Sequence, residues 1–452
     1  MYQVTNPATG EVLEEFPTAT DAQLRDAIDR ADRTFVLWRH RTVGERSDIL
    51  QRAADLFTER SEELARIITI EMGKRIEESR GEVGIVSEIL RYYADESERL
   101  LADEPIEIKG GRAVIQKQPI GVILGIMPWN YPYYQVARFA APNLILGNTV
   151  ILKHAPNCPR SAAAIETVFR DAGVPEDAYV NVYASNQQIG WMLADPRVQG
   201  VSLTGSERAG SAVAAEAGRN LKKVVLELGG SDPMIVLDSA DLEETVGMAV
   251  ESRMGNTGQA CNAPKRMIVM DDIYDDFVAQ LTAQMSSFVA GDPMDPATTL
   301  APLSSIDAAD RLVAQIVKAV KQGATLQTGG HHVGERGAYV QPAVLTDVRP
   351  GMDAYTEELF GPVAVVYRVA DEDEAVELAN DTPYGLGSSV FSADPKRAAA
   401  VGARVEAGMV YVNQAGGSQA DLPFGGIKRS GMGRELGPLG IEEFMNKKVI
   451  RL

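Results

Sequence analysis

Cysteine is nearly missing: two residues in 452, which excludes a disulfide framework and a cysteine-ligated zinc site. Histidine is almost as scarce. Of the four, two are adjacent (His331, His332) in a Gly-rich stretch, so no histidine metal site or histidine-based triad is indicated and no metal is expected. No apolar run approaches the roughly 20 residues that span a bilayer, and residues 1–7 lack the basic flank and apolar core of a secretory signal. A membrane is not an expected partner, and two cysteines fit a reducing compartment, so the cytoplasm is expected. Positive charge is in deficit as well: 44 Lys and Arg against 63 Asp and Glu leave a net charge of −19. Acidic runs such as Asp371-Glu372-Asp373-Glu374 repel a phosphate backbone, which argues against nucleic acid. The dinucleotide fingerprint G-x-G-x-x-G and the P-loop are absent too.

The rest is ordinary for a globular chain, with 45 % apolar and 24 % charged residues and length enough for two or three domains. Residues 21–103 carry apolar positions at helical spacing, as in 49–57. Two short alternating runs around Gly110-Gly111 predict a β-hairpin over 105–119. From 120 to 240, apolar runs at 121–127, 149–152 and 201–203 read as buried strands, with helices at 161–172 and 209–218 between them. That alternation predicts a parallel α/β sheet with crossover helices. A second α/β run follows over 265–415, with strands at 267–270 and 363–367. Without repeats, low-complexity tracts or long linkers, the domains are expected to interleave.

Chemistry centres on Cys261, in the small and flexible run Gly255-Asn256-Thr257-Gly258-Gln259-Ala260-Cys261. Taken alone, a free cysteine reads as a small buried hydrophobe. Its company changes the reading: Glu227 in Leu226-Glu227-Leu228-Gly229-Gly230, and Asn130 in Pro128-Trp129-Asn130-Tyr131-Pro132. Thiol, carboxylate and amide are the groups an acyl transfer through a thioester needs. Thr204-Gly205-Ser206, between a strand and a helix, reads either as a plain Ser cap or as a pyrophosphate cradle at a helix N-terminus. Cys158, beside Pro159 in an expected loop, reads as a bystander.

Seven ordered stretches carry a resemblance over essentially the whole length: PWNYP (128–132), Leu152-Lys153, Thr204-Gly205-Ser206, LELGG (226–230), NTGQAC (256–261), EELFGPV (357–363) and PFGGIKRSGMGRE (423–435). The chain resembles the aldehyde dehydrogenase superfamily. Residues 153–157, 228–233 and the short N-terminus are similar to the short-form succinate-semialdehyde dehydrogenases. The resemblance implies an aldehyde dehydrogenase-like α/β fold: a Rossmann-like cofactor domain (1–104 and 120–229), a catalytic domain (230–434), and an oligomerisation arm (105–119 and 435–452). It implies Cys261 as nucleophile, Asn130 with the Cys261 amide as oxyanion donors, and Glu227 as general base. NAD or NADP is implied as cofactor, with Trp129, Lys153, Gly205, Ser206, Glu358 and Phe360 around it. A small-molecule aldehyde, most readily succinate semialdehyde, is the implied substrate, with Arg138 and Ser418 at its carboxylate, and a homodimer or homotetramer the implied assembly. Another aliphatic or amino-aldehyde is the alternative substrate, and a non-catalytic protein that keeps the fold the rival of another class.

Three departures from the pattern matter. Pro156 stands where many NAD-preferring members have Glu, which removes repulsion against a 2′-phosphate but supplies no donor for it. Phe139 stands where many carry a proton-transfer Lys. Gly255 replaces a second carboxylate-binding Arg, leaving Arg253 or Arg266 as candidates for the missing charge.

Overall fold

The computed structural model describes residues 1–452. The N-terminal strands Tyr2–Thr5 and Val12–Phe16 pair with each other, and five helices follow: Asp21–Trp38, Val43–Glu59, Ser61–Met72, Ile76–Asp95 and Ser97–Leu101. Local signals set their ends. Thr20 with Gln23 and Thr42 with Glu45 form capping boxes, and Gly73 ends the third helix in the left-handed conformation.

A six-stranded sheet comes next, in the spatial order Gly431–Met432, Lys223–Glu227, Val198–Thr204, Val122–Met127, Thr149–His154, Tyr179–Asn181. All its pairs are parallel except that of Gly431–Met432 with Lys223–Glu227. Its central strands are buried, as parallel strands covered by helices on both faces must be. The 161–172 and 209–218 helices of the sequence reading are Pro159–Ala172 and Glu207–Arg219. Cys158 directly precedes the first of these in the expected loop position, and is fully buried there.

The second sheet has seven strands in the order Thr325–Thr328, Ala343–Thr346, Val363–Val369, Pro264–Met270, Asp232–Val236, Ser389–Phe391, Tyr411–Val412, with only the first pair antiparallel. The expected hairpin is Glu104–Ile108 with Gly111–Pro119, and Met445–Arg451 adds to it as a third antiparallel strand. The chain returns to the first sheet at Gly431–Met432 after building the second. A strand from the 230–434 segment thus completes the sheet of the 120–229 segment, and the segments interleave. No helix is long and apolar enough to cross a membrane.

Candidate active site

Strand Val122–Met127 runs into Pro128-Trp129-Asn130, and its neighbour Val198–Thr204 runs into Gly205-Ser206. The sheet order reverses between these two strands, and in open parallel sheets ligands bind beyond the C-terminal strand ends at such a reversal. A cleft of ≈ 280 Å³ opens there, walled by Trp129, Asn130, Thr204, Gly205, Ser206, Gly229, Cys261, Glu358 and Phe360 among others. Ser206 caps helix Glu207–Arg219 by accepting from the Ala209 amide, so a helix N-terminus faces the cleft. A Cβ at Gly205 would meet nothing nearer than 3.7 Å, so the backbone there is open to approach. Trp129 and Phe360 meet edge to face at 5.8 Å. Glu358 accepts from the Gly230 amide at 3.2 Å and lies 3.2 Å from Lys265 Nζ. An open helix end, two aromatic walls and a fixed carboxylate fit a dinucleotide. Lys153 stands in register with Ile126 on the adjoining strand, outside the lining, and burial lowers its pKa to about 8.

A second cavity of ≈ 380 Å³ shares Gln135 and Cys261 with the first and is otherwise walled by Glu78, Tyr131, Tyr134, Asn256, Ser418, Phe424 and their neighbours. Cys261 therefore stands where the two spaces meet. It follows the 3₁₀ turn Gly255–Gly258, in which Asn256 and Thr257 adopt φ of 52° and 53°. Such angles are costly for residues with a side chain. Here they are held by the Asn256 amide donating to Glu78 and by Asn256 Nδ2 donating to the Asn130 carbonyl, at 2.9 and 2.8 Å. Lys265 Nζ donates to the carbonyls of Ala260 and Cys261 at 2.9 and 2.7 Å. Burial pushes the thiol up to about 11, opposed by Arg138 and Lys265.

Asn130 Nδ2 donates to the Gln259 carbonyl at 3.1 Å, which uses one of its two hydrogens and leaves the other for the cleft. Glu227 ends strand Lys223–Glu227, almost fully buried, and neither carboxylate oxygen has a hydrogen-bond partner. Burial raises its pKa well above the ordinary value, Arg138 opposing and Glu435 reinforcing. It does not line either cavity, and a Cβ at Gly425 (φ +152°) would come within 2.7 Å of its Oε1.

The comparisons with known proteins agree with this geometry. The aldehyde dehydrogenase family model matches residues 1–450. The chain belongs to the aldehyde dehydrogenase family. It is 55 % identical over 450 residues to the succinate-semialdehyde dehydrogenase [NADP(+)] of Deinococcus radiodurans, covering 100 % of this chain and 94 % of that one. It is 46 % identical to the enzyme of the same name from Mycobacterium avium, over 98 % and 95 % of the two chains. Among solved structures, the succinic semialdehyde dehydrogenase of Streptococcus pyogenes in complex with NADP+ superposes with a TM-score of 0.98 at 43 % identity, covering 100 % of both chains.

For an aldehyde dehydrogenase, the substrate side departs from the sequence reading. Arg138 is fully buried and lines neither cavity. Its guanidinium forms an ion pair with Glu435 at 2.8 Å and stacks on Phe424 and Tyr134. Tyr134, Glu435 and Glu227 keep it charged against the cost of burial. It stands behind the wall, because helix Tyr134–Leu146 is buried on all sides and gives its arginine no open face. Arg253 and Arg266 are not the missing charge either. Arg253 donates to the carbonyls of Val363 and Leu359, and Arg266 to those of Ser231, Leu378 and Ala379. Both are buried and turned onto backbone carbonyls, away from the two cavities. Ser418 does line the second cavity.

Lys265 and Tyr134 were missed by the sequence reading. A lysine inside the apolar run Pro264–Met270 is a signal that a buried cation has a partner, though not which one.

Proposed function

We propose that this chain oxidises succinate semialdehyde to succinate with NADP as hydride acceptor. The observation that carries the reading is Cys261 at the junction of a cleft that opens on a helix N-terminus and a second cavity. The names of its relatives support the substrate and the cofactor. Cys261 Sγ adds to the aldehyde carbon as its proton passes to solvent, and the new oxyanion accepts hydrogen bonds from the second Asn130 Nδ2 hydrogen and the Cys261 amide. One such donor is worth about 3–4 kcal/mol in the transition state. Trp129, Gly205, Ser206, Glu358 and Phe360 would hold NADP, with Lys153 on the side of its ribose, and the bound cofactor would supply the acceptor for a hydride. Lys153, with Pro156 in place of an acid, leaves a cation and no repulsion for a 2′-phosphate. Cys261 then carries the acyl group as a thioester. Glu227, turned from its buried position toward Cys261, takes the proton of the attacking water, and the acid leaves. The two unpaired thiols suit a reducing compartment, and the cytoplasm is proposed. The three-stranded arm is proposed to join subunits into a dimer or tetramer.

A second reading has its own support: the charged side chains on the second cavity wall, Glu78 and Glu82, are acidic, which suits a cationic amino-aldehyde. Each is answered by a base, Glu78 by Arg75 and Glu82 by Lys74, which weakens that reading. The test is kcat/KM for succinate semialdehyde, butanal and 4-aminobutanal, each with NADP and NAD. Preference for the anionic aldehyde with NADP is expected. Equal rates on all three would keep the dehydrogenase and remove its substrate assignment.

A further inference from the structure

No arginine lines the second cavity, which leaves its polar wall residues to meet a distal carboxylate. The hydrogen bonds leading to Ser418 have a fixed direction. Arg138 Nη1 donates to Tyr134 Oη at 3.3 Å, and a guanidinium has no acceptor to offer in return. The single Tyr134 hydroxyl hydrogen is thereby directed to Ser418, whose Oγ accepts it at 2.6 Å. Arg138 is itself fixed from its other sides by Glu435 and by Thr204, to which Nη2 donates at 3.3 Å. Ser418 lines the cavity, makes no other hydrogen bond, and has its own hydroxyl hydrogen left over. That hydrogen is free to turn into the second cavity.

We propose that Tyr134 is the specificity-determining residue of this site: by relaying the charge of Arg138 to Ser418, it presents the serine hydroxyl as a donor to the distal carboxylate of the aldehyde. The inference rests on the succinate semialdehyde reading and deepens it. The positive charge stays buried and paired, and only its polarisation reaches the substrate through two hydroxyls. Tyr134 keeps its hydrogen under assay conditions, since burial pushes its pKa up to about 12. A neutral aldehyde of the same length has no acceptor for the serine hydroxyl and gains nothing from the relay. Tyr134 thus acts through Ser418 as a positioning residue and leaves the reacting carbon to Cys261 and Asn130.

The experiment compares wild type, Tyr134→Phe, Ser418→Ala and the double variant on succinate semialdehyde and butanal, with saturating NADP. In Tyr134→Phe the ratio of kcat/KM for the two aldehydes is expected to fall about ten-fold, the loss entering through KM rather than kcat. Ser418→Ala should show the same fall, and the double variant no more than Ser418→Ala alone, because both act through one chain. Retention of the wild-type ratio in either variant, or additive losses in the double, overturns the relay while the substrate assignment stands. If Tyr134→Phe does not fold, Ser418→Ala decides alone: an unchanged ratio there overturns the proposal. A wild-type enzyme with no preference for the anionic aldehyde overturns the substrate assignment itself, and the relay with it.

Discussion

Cys261 and Glu227 are both held uncharged by burial, the thiol raised to about 11 and the carboxyl well above its usual range. Each must lose its proton to act, so both steps quicken as pH rises through the neutral range. The burst of reduced cofactor reports attack by the thiol, and its rate constant should climb between pH 6 and 9 in stopped-flow absorbance. A carboxyl with an ordinary pKa would make thioester hydrolysis independent of pH above about 6. A raised one makes steady turnover fall earlier, as pH drops through the raised value. Glu227→Gln should give one burst per active site and then turn over at least ~10²-fold more slowly, the usual share of a general base. Undiminished steady turnover would reassign the base. Cys261→Ala should lose the burst itself. Residue types and their spacing brought Cys261, Asn130 and Glu227 into one hypothesis. Spacing alone did not reveal that Arg138 points into the protein, because the direction of a side chain on a wholly buried helix depends on what packs around it.

Two helices beside the site begin without a cap of their own. Tyr133 precedes Tyr134–Leu146 and Cys158 precedes Pro159–Ala172, and neither caps with its side chain. Carboxylates from the N-terminal helices serve instead. Glu82 accepts from the amides of Tyr133 and Tyr134 at 2.8 and 3.1 Å, while Lys74 pairs with it and lies 3.7 Å above the Tyr131 ring. Glu71 accepts from the Arg160 and Ser161 amides and the Ser161 hydroxyl at 2.6, 2.9 and 2.6 Å. An acid at a helix start also meets the positive end of its dipole. Glu71→Ala leaves these donors buried and unpaired, and should lower unfolding stability by about 2–3 kcal/mol in urea titrations. A loss below ~0.5 kcal/mol would show that water replaces the carboxylate. Most elements were legible from local pattern: amphipathic period in the N-terminal helices, continuous apolar runs in the parallel strands. Gly431–Met432 was not. Two residues carry no period, glycine has little strand preference, and the strand exists through its pairing with Leu226 and Glu227.

The interleaving of the two large sheets leaves one part of the molecule to the side: the three-stranded sheet of Glu104–Ile108, Gly111–Pro119 and Met445–Arg451. Its last strand forms an outer edge, with Val449 63 % exposed. Unpaired backbone along a seven-residue edge is a template for another strand, and small free-standing sheets are marginal in water. Lys447 and Lys448 on that strand discourage indiscriminate pairing, which is consistent with the proposed pairing to a matched surface on a second copy. In light scattering at micromolar concentration, the chain should have two or four times its mass of 48.8 kDa. Deleting residues 446–452 removes the edge strand but no group of either cavity, and should shift the mass to that of the monomer. Because the N-terminal end of that strand pairs with Pro119, three residues before Val122–Met127 begins, lost assembly should also loosen the cofactor sheet and lower its thermal midpoint. A full-length chain that scatters as a monomer would separate the arm from assembly and leave it as cover for the sheet it adjoins.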